Sequence, residues 1–254
     1  MKKLKLKKSV FMSLFTIIVF ALFLTVANLS VRADGLVTYD GNLLDAFQNR
    51  TKEEIGEEYS KALAAGETYR NWDSSTYYES TPSLESPYSA GSLTNDTLEA
   101  MTAMANYYRW LVGVEPLSVV ASSKEDLQAG ALVRNYDFAH SVDDSKKPSD
   151  MSDDLWNMGA DVSHNILARG YSPRGSITGW LNEGYNLRTG TFDTVGHRTT
   201  IISPTIGSID FGYAGSVAIG DVTSSSDATE PYVVYPAPTY MPLNGISVNE
   251  TAWS

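Results

Sequence analysis

Residues 195–214 of the chain, VGHRTTIISPTIGSIDFGYA, join one of its three histidines to a run of strand-forming residues. The first part, at 195–202, predicts a short helix. The residues at 206–217, and again at 232–235, are rich in β-branched and aromatic types, which favour strands. Helical patterns precede these strands, and no βαβ unit repeats. The sequence therefore predicts an α+β fold with an antiparallel sheet.

Helices are predicted on the N-terminal side of this stretch. One begins at residues 94–96 and ends at Gly113. Its apolar face is formed by Leu98, Met101, Ala105, Tyr108 and Val112. A second begins near Ser122 and runs towards His140, and a short helix is predicted at 176–183.

The residues before this domain predict a helical extension followed by a linker. Within 34–70, Thr51 and Glu54 form a capping-box pair. The helix that they open has apolar residues at helical spacing, namely Ile55, Tyr59 and Leu63. Residues 71–92 contain seven Ser, three Tyr and two Pro with little periodicity. This composition favours a mobile connector, and the alternative is an irregular segment that wraps the domain and packs its tyrosines on it.

The N-terminus predicts a secretory signal peptide at residues 1–33. Five lysines precede an apolar run at 10–27, and the small residues at 31–33 offer a cleavage site before Asp34. The alternative is an uncleaved membrane anchor, because an 18-residue apolar run is close to the length that spans a bilayer. In both cases the rest of the chain lies outside the cell, either secreted or associated with its surface.

The predicted organisation places a signal peptide at 1–33, a helical extension and linker at 34–93, and one domain at 94–235. An extended tail at 236–254 contains three prolines and a strand-like segment. This tail is either a wrapping segment or the start of a further module.

Charge and cysteine content exclude several classes of protein. Removal of residues 1–33 takes away six cations and no acid, which leaves 13 Lys and Arg against 30 Asp and Glu, a net charge of −17. Such a surface repels phosphate backbones and anionic membranes, so no nucleic-acid partner and no stable membrane insertion are expected after cleavage. The chain has no cysteine, so an exported form is held together by its core alone. Acidity, a basic signal and the absence of cysteine are typical of a Gram-positive bacterium.

The three histidines of the chain predict a single site. His140, His164 and His197 fall within 58 residues, with Glu183 between the second and the third. Imidazoles are the commonest metal ligands and the only side chains that titrate near neutral pH without perturbation.

Each of these residues also has a simpler interpretation. His140 at a helix end would interact with the macrodipole and with the terminal carbonyls. His164 in an alternating strand would be a half-buried polar residue bonded to backbone. Arg198 beside His197 would be a salt-bridge partner, and Trp180 would belong to the core.

A set of short motifs occurs in a fixed order along residues 94–222. The motifs are Asn106-x-x-Arg109-x-x-x-Gly113-x-x-Pro116-Leu117, Leu127-x-x-x-Ala131, Ala139-His140-Ser141, Asn165-Ile166, Trp180-x-x-Glu183, Gly196-His197-Arg198 with Ile202 and Pro204, and Phe211-Gly212-Tyr213-Ala214. This ordered set resembles the CAP superfamily, the cysteine-rich secretory, antigen 5 and pathogenesis-related 1 proteins, in its bacterial form. The domain of this family is also called the SCP domain.

The resemblance implies a fold and a cleft. The family fold is a three-layer α-β-α sandwich with an antiparallel sheet and a cleft that usually carries two His and two Glu. By resemblance, His140 and His197 take the histidine positions and Glu183 takes one glutamate position. His164 falls where the other glutamate would be, which is a departure from the family pattern. The expected cleft is therefore His140, His164, Glu183 and His197.

Three functions are compatible with these residues. The first is a secreted binding or interaction module with a metal-capable cleft, whose partner is a small molecule, a glycan or a protein. Some family members bind lipids and some bind zinc. The second is a zinc hydrolase in which His140, His164 and His197 hold Zn²⁺ and Glu183 acts as the base. The third is a wall-associated spacer on a longer chain.

Overall fold

The structure is a computed structural model that describes residues 50–118, 122–162, 165–183, 195–224, 233 and 235. These residues belong to the compact unit formed by residues 47–254. The predicted signal peptide at 1–33 and tail at 236–254 lie outside the described residues, as does His164. The α-helices are α1 (Lys52–Ala64), α2 (Asn95–Leu111), α3 (Glu125–Val133), α4 (Asp153–Ala160), α5 (Pro173–Asn182) and α6 (Gly196–Ile201). The strands are β1 (Tyr78–Ser80), β2 (Ser92–Leu93), β3 (Asn165–Arg169), β4 (Ile206–Ala214) and β5 (Val217–Ser224).

Helix α1 begins at the predicted capping box. The Glu54 backbone N donates to Thr51 Oγ1 at 3.1 Å, and the Thr51 N donates to Glu54 Oε2 at 2.8 Å. Ile55 and Ala62 are the buried residues of the helix. Of the three apolar residues at helical spacing, Ile55 is buried and Tyr59 partly buried, whereas Leu63 is 42% exposed.

Residues 71–92 pack on the domain. Tyr77 is 3% exposed and belongs to the same buried cluster as Leu93 and residues of α2. Its carbonyl accepts a hydrogen bond from the Thr94 backbone N at 3.0 Å, and β1 pairs antiparallel with β2. The mobile connector was therefore the wrong interpretation of this segment, and the wrapping alternative describes it, because buried tyrosine rings offset the cost of ordering a Ser-rich chain.

Helix α2 follows the prediction closely. Thr94 caps it by accepting from the Thr97 N at 3.2 Å, and the helix ends before Gly113, whose φ of 73° suits a residue without a Cβ. The two polar residues of the motif on this helix, Asn106 and Arg109, have structural partners. Asn106 exchanges two hydrogen bonds with the backbone of Leu117, and Arg109 donates to four backbone carbonyls. Burial lowers the pKa of Arg109 to about 10.

Helix α3 is shorter than predicted. It ends at Val133, and turns follow it, so His140 lies in an irregular segment and not at the end of the helix. The interpretation of His140 as a helix-terminal residue was therefore wrong. The buried side chain of Arg134 accounts for the change, since it draws the carbonyls of Ala139 and His140 onto its guanidinium at 3.1 and 2.9 Å.

The larger sheet is antiparallel with strand order β3-β5-β4. The strand predicted at 206–217 ends at Ala214, and a turn through Gly215 leads into β5, which the sequence did not indicate. Strand β5 lies in the middle of the sheet, where its neighbours supply hydrogen bonds on both edges. Of the strand predicted at 232–235, Val233 and Tyr235 are described, and neither lies in a strand.

Two buried clusters contact alternate residues of the sheet. In β3, Ile166 and Ala168 belong to the cluster built with α1, α2, α5 and α6, whereas Leu167 belongs to the cluster built with α3 and α4. Because side chains alternate across a strand, the two clusters lie on opposite faces of the sheet. Helix α3 approaches the sheet closely at Gly212, where a Cβ would come 2.3 Å from the Leu127 carbonyl oxygen.

The described structure has the predicted α+β class, with helices and small antiparallel sheets. The predicted boundary at residue 94 is not a break in packing, since Ile55, Ala62 and Tyr77 share a buried cluster with α2. Within the described ranges, every helix is too short or too polar to cross a bilayer.

Candidate functional site

A cavity of about 540 Å³ lies where α5, α6, β3 and the segment after α3 meet. Its lining residues are Phe138, Ala139, His140, Leu167, Ala168, Arg169, Tyr171, Gly179, Trp180, Glu183 and His197. Most of this lining is apolar or aromatic, with a few polar groups at defined positions. A volume of this size and such a lining are typical of small-molecule sites.

His197 is paired with a buried carboxylate. Its Nδ1 lies 2.8 Å from Glu183 Oε2, and the ring keeps about a quarter of its surface exposed while Glu183 is 2% exposed. The other oxygen of Glu183 accepts from the backbone N of Arg198 at 2.9 Å. Since a carboxylate only accepts hydrogen bonds, Nδ1 carries the proton, and Nε2 is the ring nitrogen left for a ligand.

Glu183 is held in an unusual backbone conformation. Helix α5 begins with Ser172 as its cap and Pro173 in its first turn, and it ends at Glu183, which has φ 53° and ψ 27°. A left-handed conformation is uncommon for a residue with a side chain, and a carboxylate is disfavoured at a helix C-terminus. Non-glycine residues in this conformation concentrate at functional sites.

Arg198 packs next to the Glu183–His197 pair. Its side chain is buried, its Nε donates to the Leu181 carbonyl at 2.7 Å, and its guanidinium lies 4.5 Å from the centre of the Tyr235 ring. Burial lowers its pKa, and the neighbouring Tyr235 and Glu183 partly oppose that shift. The backbone N–H that Glu183 accepts is therefore fixed by a packed side chain.

His140 reaches the cavity from the other side and has a different partner. Its Nδ1 lies 3.1 Å from Asn165 Oδ1 at the start of β3, and the histidine is exposed. The Asn165 amide in turn donates to the Val162 carbonyl at 2.6 Å. The buried Arg134 binds the same carbonyl at 2.7 Å and also that of His140, so one guanidinium joins the histidine segment to the residues that precede β3.

Aromatic side chains form the apolar part of the cavity. Trp180 is buried, its ring stacks on Phe211, and its Nε1 has no hydrogen-bond partner in the described part of the chain. Tyr171 lies against Gly179, where an added Cβ would come 3.0 Å from the tyrosine ring. Glycine at this position of α5 therefore allows the ring to lie against the helix.

The structure brings three of the four predicted cleft residues to one cavity. His140, Glu183 and His197 all line it, whereas His164 is not among the described residues. His197 and Glu183 are in direct contact, and His140 contacts Asn165. Among the residues that the structure describes, no three His, Asp or Glu side chains lie close enough together to hold one metal ion.

Several residues of the site were not predicted. Arg134 lies six residues before His140 in a sequence pattern that indicates only a helix, and its role depends on carbonyls up to 28 residues away. Arg169 ends β3 and lines the cavity beside Phe138. Arg169 is a charged residue directly after the apolar run Ile166-Leu167-Ala168, and this position could have indicated a residue at the edge of a site. The sequence around Arg134 offers no comparable local signal.

The chain matches no family model, no curated protein and no solved structure.

Proposed function

We propose that this protein is a secreted CAP-domain protein of the bacterial type, an extracellular binding module whose His/Glu cleft takes a divalent metal ion. The proposal includes the three-layer α-β-α sandwich of that family. Helix-bearing clusters on both faces of the β3-β5-β4 sheet support this architecture. The ordered motifs along residues 94–222 support the family.

The observation that carries the proposal is the convergence of His140, Glu183 and His197 on one cavity. These residues come from three separate parts of the chain. In both histidines Nδ1 faces an oxygen, of Asn165 or of Glu183, which leaves Nε2 as the free ring nitrogen. Metal-ligating histidines have this arrangement, because the second partner fixes the tautomer and orients the ring.

The donor set fits zinc in ligand type. His140 and His197 would hold the ion, and His164 would be the third imidazole of the predicted set. Imidazole nitrogen is a preferred ligand of Zn²⁺. When bound, the ion would supply a Lewis acid at the polar end of the cavity. Glu183 would orient His197 without contacting the ion.

The zinc hydrolase is supported less well. A general base needs a carboxylate that reaches a reacting proton. Both oxygens of Glu183 instead accept hydrogen bonds, from His197 and from the Arg198 backbone, and the carboxylate is buried. A wall-associated spacer does not require a cavity with oriented imidazoles. The cavity therefore favours a binding role over a spacer role.

The partner of the module is a small molecule, a glycan or an extracellular protein segment. The cavity is large enough for a drug-sized molecule or for one residue of a polymer. The strong negative charge of the chain without residues 1–33 argues against nucleic acid.

Zinc titration by calorimetry tests the metal site. We expect one Zn²⁺ per chain, with affinity reduced at least about tenfold in His140→Ala, His164→Ala and His197→Ala. Asn165→Ala should weaken binding about tenfold through the loss of an orienting partner. Because protons compete with the metal ion for the imidazole nitrogens, affinity should fall as the pH is lowered.

Arg70→Gln serves as the control, since Arg70 is exposed and does not line the cavity. Equal affinity in wild type and His164→Ala would remove His164 from the site. Equal affinity in wild type and His197→Ala, or no binding by wild type, would overturn the proposed metal site.

Expression of the full chain in a Gram-positive host tests the proposed location. N-terminal sequencing of protein from the medium and from the cell surface should begin at Asp34. Protein that stays in the membrane fraction with residues 1–33 attached would favour the uncleaved anchor.

A further inference from the structure

Arg169 is an exposed cation that lines the cavity. Its guanidinium lies 4.4 Å from the centre of the Phe138 ring, and its Nη2 donates to the Arg134 carbonyl at 2.6 Å. Within the described residues, Arg169 forms no ion pair, and its remaining N–H groups have no acceptor. By contrast, Lys61, Lys124 and Lys147 are each paired with a carboxylate.

The buried Arg109 and Arg134 also form no ion pair among the described residues, but they donate to four and five backbone carbonyls, whereas Arg169 donates to one. Without residues 1–33 the chain carries 30 acids against 13 cations, so acidic partners are abundant for its surface cations. A charge that lines a cavity without such a partner is available to a ligand. Guanidinium presents its donors in a planar fork that matches a carboxylate, and it stacks on aromatic rings as Arg169 does on Phe138.

The guanidinium is also held in place before any ligand arrives. The Phe138 ring supports one face of it, and the Arg134 carbonyl fixes one end. Arg134 is itself buried and donates to five carbonyls, so its own backbone is immobilised. A preorganised charge loses little side-chain entropy on binding.

The rest of the cavity suits an apolar body of modest size. Leu167, Ala168, Tyr171 and Trp180 line it together with Arg169. Trp180 adds a buried indole N–H that has no acceptor among the described residues. An oxygen of a bound ligand that reached this N–H would supply the acceptor that it lacks.

We infer that the ligand of this cavity is a small organic carboxylate, bound with its carboxylate on Arg169 and its apolar body against Tyr171 and Trp180. The inference rests on the proposed function, because it names the ligand class of the same cleft. A monoanion fits better than a phosphate ester, since one guanidinium faces a cavity that already contains the carboxylate of Glu183. A phosphate dianion needs more positive charge than this wall supplies.

Probes that share a phenylalkyl body and differ in the head group test the inference. The probes are 3-phenylpropanoate, 3-phenylpropanamide and 3-phenylpropyl phosphate, titrated into ¹⁵N-labelled protein treated with EDTA, so that a metal ion does not hold the carboxylate. The reporter is the indole N–H resonance of Trp180, assigned by its loss in Trp180→Phe. We expect the propanoate to bind about tenfold more tightly than the amide, as a charged hydrogen bond predicts, and more tightly than the phosphate.

Variants of the cation locate the preference. Arg169→Gln should bring the propanoate and the amide to equal affinity, and Arg169→Lys should keep part of the preference because it keeps the charge. Arg70→Gln, an exposed arginine away from the cavity, should behave as wild type. Amide signals dispersed as in wild type show that each variant is folded.

Three results would overturn the inference: equal affinity for propanoate and amide in wild type, an unchanged preference in Arg169→Gln, or no binding of any probe at its solubility limit. Zinc binding that persists in such a case would leave the proposed function intact. Loss of zinc binding with a retained carboxylate preference would instead remove the metal from the proposal and keep the ligand class.

Discussion

His197 and His140 line the same cavity, but the chain holds the two rings in different ways. His197 is paired with a buried carboxylate, and that carboxylate is fixed by a backbone N–H and a strained helix end. His140 is exposed, is paired with a neutral amide, and lies in an irregular segment tied down by Arg134. The comparison indicates that a buried carboxylate fixes the ring on one side of the site, while the segment on the other side depends on Arg134 for its position.

The largest expected effect is on the His140 side. Arg134→Met should destabilise the protein by about 3 kcal/mol, because it leaves carbonyls of Ala139, His140 and Val162 without their buried donor. Urea unfolding followed by circular dichroism measures this loss. Arg70→Met, on the surface, should change stability by less than about 0.5 kcal/mol. Equal stability of the two variants would mean that the His140 segment does not depend on Arg134.

The second effect is on the His197 side. Two substitutions of Glu183 distinguish the contribution of its carboxylate to stability from the cost of its left-handed backbone conformation. Glu183→Ala should cost about 2 kcal/mol, because His197 and the Arg198 N–H both lose their acceptor. Glu183→Gly loses the same acceptor but should be about 1 kcal/mol more stable than Glu183→Ala, since glycine adopts the positive φ without strain. Urea midpoints of the two variants measure the difference. The opposite order would show that the left-handed conformation at this position is not strained.

The smallest effect concerns the strand beside Asn165. Asp221 lies opposite Asn165 in the β3–β5 register, and its pKa is raised by burial and then by Asp210. A raised pKa means that the folded state disfavours the ionised form, so stability is lower above the folded pKa than below the unfolded one. Asp221→Asn should therefore stabilise the protein at pH 7 by less than about 1 kcal/mol, given the partial exposure of the site.

Thermal unfolding of wild type and Asp221→Asn checks the sign of this stability difference. The measurements run from pH 3 to pH 7, a range that spans the ordinary aspartate pKa of about 3.9. The advantage of the variant should shrink as the pH falls and both forms become neutral. A constant difference across this range would assign the effect to packing and not to charge.

Local patterns were sufficient to predict much of the fold. The capping box of α1, the extent of α2 and the short helix that carries His197 all follow from residues a few positions apart. Strand β5 was missed because Gly220 and Asp221 are weak strand formers, and its neighbours β3 and β4 supply its hydrogen bonds. The Ser-rich segment at 71–92 was misread because composition does not report that Tyr77 is buried.

The site shows the same division. Glu183 lies at the end of α5 and His197 in α6, which is the next helix of the described structure, and the two side chains are in contact. The motif resemblance indicated both residues. The pairing of His140 with Asn165 spans 25 residues and depends on where Arg134 directs the chain after α3. The sequence analysis placed the end of α3 too far along the chain. Helical periodicity carries no information on Arg134, whose side chain binds carbonyls from four different segments. The predicted role of His164 stays a prediction.

The buried arginines have a consequence for the compartment in which the chain can fold. Arg109 joins α2 to carbonyls 92 to 97 residues further along, at Ile201 and Ile206, and Arg174 reaches back 111 residues to Leu63. These contacts close long loops, as disulfides do in many exported proteins, but the chain contains no cysteine. Unlike a disulfide, such hydrogen bonds do not constrain the unfolded chain, but they form without an oxidant and are not broken by a reductant. Folding of this protein is therefore independent of redox poise, and reducing agents should leave its unfolding midpoint unchanged.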